Sequence, residues 1–396
     1  MKTILLILMG ILISFKANSQ SFWNQLPPMG WEPWNIDHCG SSSNWDAEYY
    51  KKLADYFVSS GLRDAGYIYL TIECGDHDRD SSGQIQPDLS KFPDGFKPVT
   101  DYIHSKGLKV RTYTDAGEGK CPLTFEGKGS FGHYEDDAGN WVEWGFDGVK
   151  IDWCGGYDIM DPETQYMQFA EAIRKFSKSF QIEICCWGVG EPWNWGRYAG
   201  SMWRTGGDID LGVKLYVAGG AWSLLIRNID LNRHSDTSLV GPGKGWNYPD
   251  MLLIGHPKGL NEIEERTMFS MWAIMASPLF LGNDVINMPQ YVKEIIMNKE
   301  IIAIDQDPLG IQGEVVQDLE SGSQVWLKEL KNGSKAIAVI NRTAKPEKIT
   351  INWVTLNIPG QWKVRDLWEH ADKGTFTDEY TMKLKPHETV VIKLTK

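Results

Sequence analysis

The stretch DGVKIDWCGG (residues 147–156) sets three signals side by side. Val149, Lys150 and Ile151 read as a short buried strand, the run ends on Asp152 beside Trp153, and Gly155 and Gly156 follow at once. A strand that delivers a carboxylate at its end suits a parallel barrel, where side chains at the C-terminal ends of the strands converge on one face. The fold class turns on whether this pattern repeats.

It does. Further strand candidates are YIYLTIE (67–73), LKVRTYT (108–114), IEICCW (182–187), SMWRTG (201–206) and SPLFLG (277–282). Amphipathic segments lie between them. In DAEYYKKLADYFVSSG (46–61), Tyr49, Leu53, Tyr56 and Phe57 make one apolar stripe, with Asp46 as the cap and Gly61 as the stop. In DPETQYMQFAEAIRKFSKS (161–179), Pro162 falls in the first turn. Alternating strand and helix over this length predicts a (β/α)8 TIM barrel. An open doubly wound sheet is the runner-up, but no Gly-x-Gly-x-x-Gly follows the first strand.

Beyond about residue 303 the pattern changes. SQVWLKEL, KAIAVINR, GQWKVRDLW and ETVVIKL are short strands divided by Gly, Asn and Pro turns, which predicts a small C-terminal antiparallel β-sandwich domain. The expected division is 1–20 signal peptide, 21–302 barrel and 303–396 β domain.

The chain has 396 residues, a formal net charge of −12, 18 Trp and 15 Tyr. So much ring surface exceeds what a core needs, and flat apolar rings stack on sugar faces. The acidic balance lacks the basic patches of a phosphate binder, so nucleic acid is set aside as a partner. At the N-terminus Lys2 precedes an apolar run from Ile4 to Ile13, followed by small and polar residues at 17–19. This reads as a secretory signal peptide, for a secreted or periplasmic protein with no membrane anchor, because a spanning helix needs about 20 apolar residues. No Cys marks a lipoprotein cleavage point. Export permits disulfides among Cys39, Cys74, Cys121, Cys154, Cys185 and Cys186, though spacing alone cannot pair them. No Cys-x-x-Cys pair or His cluster points to zinc, and no cofactor is called for.

If the barrel is right, the residues at its strand ends form the candidate site: Trp34, Glu73, Tyr113, Lys150, Asp152, Cys186, Trp187, Arg204 and Asp208. For any single acid a cap or a salt bridge is the simpler reading, and Asp208 in RTGGDID could cap the next helix. Together they make a poor core lining, because buried charge is costly unless paired. Glycoside hydrolysis needs one carboxylate at the anomeric carbon and one to protonate the leaving oxygen, about 5 to 5.5 Å apart in retaining enzymes. Asp152 and Asp208 fit those parts. Lys150, two residues before Asp152 on the same strand face, would keep that carboxylate ionised.

The segments LPPMGWEPWN, SSGLRDAGYIYLTI, RDSSGQIQPDLSKFPDGFKPVTDYIHSKGLKVRTYTDAG, WGFDGVKIDWC, MWRTGGDI, GWNYPDML and NKEIIAIDQDPLGIQG, in order from 26 to 313, closely resemble glycoside hydrolase family 27, the α-galactosidase (melibiase) family. The resemblance implies Asp152, in a Lys-x-Asp motif, as nucleophile and Asp208, in an Arg-x-x-x-Asp motif, as acid/base. It implies sugar contacts for Trp34, Lys150 and Arg204, Tyr113 in the pocket wall, and disulfides Cys39–Cys74 and Cys121–Cys154. Cys185 and Cys186 are then free thiols, since adjacent cysteines rarely bridge each other.

Three departures from the family fall near the pocket. IECGD (72–76) stands where the family usually has Ile-Asp-Asp-Cys-Trp, so that Glu73 replaces one of two acids that hold galactose hydroxyls. CCW (185–187) stands for Cys-Glu-Trp, placing Cys186 where a Glu helps bind the 2-hydroxyl, and Tyr248 stands for a common Asp. The expected activity is that of a retaining exo-α-glycosidase, an α-galactosidase, acting on oligosaccharides or polysaccharides with a terminal α-linked sugar. A β-L-arabinopyranosidase, an α-N-acetylgalactosaminidase and a non-catalytic sugar-binding barrel are the alternatives.

Overall fold

The computed structural model describes residues 25–39, 45–73, 77–121, 127–210 and 218–396. The expected signal peptide and Cys74, and with it the Cys39–Cys74 pairing, lie outside the described residues.

Eight strands form one parallel sheet: β1 (Met29–Trp31), β2 (Tyr69–Thr71), β3 (Lys109–Asp115), β4 (Gly148–Asp152), β5 (Gln181–Cys185), β6 (Met202–Arg204), β7 (Trp246–Tyr248) and β8 (Leu279–Leu281). From β1 to β7 each strand pairs in parallel with the next, and β8 returns to pair with β1. The remaining gap is bridged just past β7, where the Leu252 amide donates to Phe280 O at 2.7 Å and Gly282 N donates to Leu252 O at 3.1 Å. The sheet curls into the expected (β/α)8 barrel. Its strands are buried on both faces because helices cover the outside and side chains fill the inside.

The helices follow their caps. Asp46 accepts from Tyr49 N to start the helix Ala47–Ser59, and Asp161 accepts from Thr164 N to start Pro162–Phe176. In the first helix Tyr50, Leu53, Ala54 and Phe57 are buried, whereas Tyr49 and Tyr56 sit at the margin. Leu53 and Phe57 of the expected stripe are therefore buried, and Tyr50 and Ala54 take the places expected for Tyr49 and Tyr56. The sequence YY offers two equivalent rings, and packing against Phe92 chooses the second.

Eight antiparallel strands follow: β9 (Glu314–Asp318), β10 (Gln324–Glu329), β11 (Lys335–Ile340), β12 (Glu347–Asn352), β13 (Trp362–Asp366), β14 (Ala371–Phe376), β15 (Glu379–Leu384) and β16 (Thr389–Thr395). The six-stranded sheet β9-β10-β11-β16-β13-β14 is joined by the pair β12-β15, and Val325, Ile337, Val339, Ile351, Trp353 and Ile392 share the apolar core between them. The helix Lys299–Asp305 runs across the expected boundary at 302/303. The sandwich docks on barrel helices, with Arg342 forked onto Asp230 at 2.9 and 2.6 Å, Arg365 onto Glu300, and Trp368 Nε1 donating to Ser270 Oγ at 2.9 Å. Between the two domains the helix Glu262–Ile274 buries ten of the eleven side chains from Glu264 to Ile274, all but Arg266. No helix among the described residues is long and apolar enough to cross a membrane.

Candidate active site

At the C-terminal ends of the barrel strands a cavity of about 190 Å³ is lined by Trp34, Cys121, Lys150, Asp152, Cys154, Cys185, Trp187, Arg204, Asp208 and Met251. Asp152 closes β4 and is buried, while Asp208 lies in the turn after β6 with its side chain 28% exposed. One acid is thus sunk in the floor and the other stands nearer the mouth.

The glycines of the opening stretch explain how β4 ends so abruptly. A side chain on Gly155 would meet Gly119 N at 2.6 Å, and one on Gly156 would strike the Trp153 ring at 2.2 Å. Only glycine lets the turn after β4 pack against the turn after β3. Asp115 stitches the two turns by accepting from Gly117 N at 2.7 Å and Gly155 N at 3.2 Å, and the Cys121–Cys154 disulfide ties them again. Burial, with the nearby Asp152 charge, pushes the Asp115 carboxyl up to about 7. Asp115, Cys121 and Cys154 bring ligand-type atoms within 4.8 Å of one another, but the two sulfurs are bonded to each other and offer no thiolate.

Around Asp152 the partners are unequal. Tyr113 Oη donates to Oδ2 at 2.8 Å, whereas Oδ1 is buried with no hydrogen-bond partner. Burial raises the Asp152 pKa, opposed by the Lys150 charge and by hydrogen bonds from Cys185 and Tyr113. The expected effect of Lys150 is present in sign but does not prevail. Its ammonium is shared with Glu73 at 3.0 Å and Glu32 at 3.6 Å, so much of its charge is already answered. Burial pushes Glu73 up to about 7, with Lys150 opposing and Glu32 assisting.

Arg204 organises the other side. It contacts Asp208 and Asp250 at 2.9 Å each and donates to Gly206 O at 3.1 Å. Asp250 also accepts from Ile209 N and Met251 N, so the turn carrying Asp208 is pinned through two routes. A further tie joins His38 Nε2 to Asp210 Oδ2 at 2.5 Å, linking the Trp34 helix to the same turn. Trp187 reaches the cavity from a left-handed backbone, φ 52°, which costs a non-glycine residue about 1–3 kcal/mol. Gly188 continues the turn at φ 88°.

Six of the expected site residues line this cavity: Trp34, Lys150, Asp152, Trp187, Arg204 and Asp208. Tyr113 and Glu73 sit just behind, holding Asp152 and Lys150. Cys186 is a correction. Register pairs Lys150 with Glu183 and Asp152 with Cys185, so strand alternation turns Cys185 inward and Cys186 outward. Cys186 is buried in the apolar core with its thiol donating to Val189 O at 3.3 Å, while Cys185 lies on the cavity wall and accepts from Arg204 at 3.8 Å. Both thiols are free. Tyr248 is fully buried inside the barrel beside Phe280 and does not line the cavity.

Asp250, Met251 and Cys185 were not anticipated from sequence. Asp250 and Met251 follow the three-residue β7, and the rule that finds acids at strand ends would have found Asp250 had GWNYPDM been recognised as a strand exit.

A family profile described as "Alpha galactosidase A" matches residues 26–307, and one described as "Alpha galactosidase C-terminal beta sandwich domain" matches residues 320–394. "Alpha-galactosidase 3" of Arabidopsis thaliana is 40% identical over 352 residues, spanning 87% of this chain and 76% of that protein. "Alpha-galactosidase A" of Cellvibrio japonicus is 35% identical over 406 residues, spanning 97% of this chain and 96% of its own. The crystal structure of alpha-galactosidase I from Mortierella vinacea superposes with a TM-score of 0.83 at 30% identity, covering 96% of this chain and 98% of that one. With a barrel, a sandwich and two strand-end acids in one cavity, the chain belongs to the alpha-galactosidase A family of glycoside hydrolases.

Proposed function

We propose that this chain is an exo-acting α-galactosidase that releases terminal α-linked galactose from oligosaccharides or polysaccharides with retention of configuration. The observation that carries the reading is Asp152. Its Oδ1 is buried without a partner in the wall of a cavity that also holds Asp208 and is small enough for one sugar ring. Oδ1 attacks the anomeric carbon as the bond to the leaving oxygen breaks, and Asp208 gives that oxygen its proton. Water then gives a proton to Asp208, attacks the same carbon and frees Asp152. Trp34 and Trp187 offer apolar faces to the ring, and Lys150 and Arg204 offer donors to its hydroxyls.

Sequence supports the setting: an N-terminal signal peptide over 1–20 for export, then the barrel, then the β domain. Hydrolysis of p-nitrophenyl α-galactoside, with proton NMR of the first-formed sugar, tests the reading. Retained α-galactose is the expected product. An inverted product, or faster cleavage of the β-L-arabinopyranoside in parallel assays, would overturn it. In Asp208→Asn, azide should restore turnover of the activated substrate and yield a β-galactosyl azide, since acid assistance matters little there.

A further inference from the structure

Beneath the cavity an alternating chain of charge crosses the barrel interior: Glu183, Arg111, Glu32, Lys150 and Glu73. Arg111 is fully buried between Glu183 and Glu32, with Nη1 at 2.9 Å from Glu32 Oε1. Glu32 Oε2 lies 3.6 Å from Lys150 Nζ, whose other partner is Glu73 at 3.0 Å. Each member comes from one of strands β1 to β5 or the turn that follows it. Barrel interiors are ordinarily filled by branched apolar side chains. Removing one partner of a buried pair costs about 3–5 kcal/mol, whereas an apolar layer of similar volume is often as stable or more so. Stability alone therefore gives this layer little reason to be charged.

We propose that Glu32 and Arg111, neither of which lines the cavity, are positioning residues for the proposed glycosidase: they hold the Lys150 ammonium at the cavity wall and set the field in which Asp152 ionises. The inference rests on the reading of Asp152 as nucleophile. Lys150 is the only member of the chain that also lines the cavity, so its position is where the buried layer meets the sugar. Glu32 answers two cations at once, Arg111 through one oxygen and Lys150 through the other. Burial alone would raise its pKa, yet the Lys150 and Arg111 charges, with a hydrogen bond from Glu183, hold it below the usual range. At the far end, burial pushes Glu183 up to about 8, with Glu32 adding to the effect and Arg111 opposing it.

The groups that face Asp152 are Lys150 from its own strand, Tyr113 and Asp115 from β3, Cys185 from β5, Glu73 after β2, and Arg204 and Asp208 at and after β6. Against this fixed surrounding the buried layer contributes one removable charge of each sign. Losing the anion at Glu32 makes the layer more positive and favours the Asp152 carboxylate. Losing the cation at Arg111 makes it more negative and favours the acid form.

The test is the pH profile of kcat/KM for p-nitrophenyl α-galactoside in three variants of the full chain. Glu32→Gln should move the acid limb to lower pH, and Arg111→Met should move it to higher pH. Glu32→Gln should also raise KM several-fold, as Lys150 loses one of its two anions. The double variant, which removes one charge of each sign, should lie above Glu32→Gln on the pH axis, and this comparison decides the matter even if Arg111→Met alone does not fold. Limbs that coincide with wild type, or that all move in one direction, overturn the proposal. A wild type inactive on every α-glycoside would instead sink the reading of Asp152 itself, so the two failures are distinct.

Discussion

The barrel interior and the sandwich core are built on opposite principles. Between its sheets the sandwich packs Val325, Ile337, Val339, Ile349, Ile351, Trp353, Leu384 and Ile392, and its buried charged residues are Lys328, which donates to Ala273 O of the barrel, and Asp366, which accepts from Trp368 N and Glu369 N. The barrel interior, equally buried, holds Glu32, Glu73, Arg111, Lys150, Asp152, Glu183 and Arg204. Burying an unpaired charge costs far more than burying an alkyl group gains, so a charged interior persists only where each charge meets another. The sandwich is free to be optimised for packing alone, and the barrel is not. The contrast marks which domain holds chemistry without reference to any catalytic residue.

The contrast breaks most visibly at Asp152. Asp152→Asn should lower kcat/KM for an α-galactoside by about three orders of magnitude or more, equivalent to about 4 kcal/mol of transition-state stabilisation, while far-UV circular dichroism stays unchanged. A variant of near wild-type activity would remove Asp152 from the mechanism. In the sandwich, Trp353→Ala should act on stability instead, costing about 3–5 kcal/mol in denaturant unfolding and leaving kcat nearly unchanged at low temperature.

A smaller effect sharpens the picture of the site. Tyr113→Phe removes the hydroxyl that donates to Asp152 Oδ2. That bond favours the ionised form, so its loss raises a pKa that burial has already lifted. Since the nucleophile must be ionised, the acid limb of kcat/KM should move to higher pH, by about 0.5–1 unit for a bond of about 1 kcal/mol. Smallest of all, Arg342→Ala breaks the partly exposed pair with Asp230 between the domains and should cost about 0.2–1 kcal/mol, less at high salt.

Much of the barrel was legible because its longer strands are apolar runs ending in polar residues: LKVRTYT and DGVKID fall within a residue of β3 and β4. The strands β1 and β7 were not legible as strands. Each is three residues long, and MGW and WNY carry no alternation by which to know them. In the site, the acids at strand ends could be read because β4 and β6 announce where they stop. Parity at β5 could not, since two adjacent cysteines are indistinguishable until a register fixes which of them faces inward. Nor could the ion chain below the site, because Glu32, Arg111 and Glu183 are separated by long stretches of sequence and meet only when the sheet closes. Local pattern finds what a strand presents at its end. It cannot find what strands present to each other.

The helix Glu262–Ile274 has one more consequence. From Thr267 to Ile274 it offers no face to water, with Lys328 of the sandwich donating to Ala273 O at 2.9 Å and Thr267 donating to His387 O at 2.6 Å. A wall shared by two rooms cannot be taken down from one side. Cutting the chain after the barrel would lay Phe269, Ala273 and their neighbours bare, a surface prone to aggregation. Heating the intact protein should accordingly melt barrel and sandwich in a single calorimetric transition, two domains by architecture and one by cooperativity.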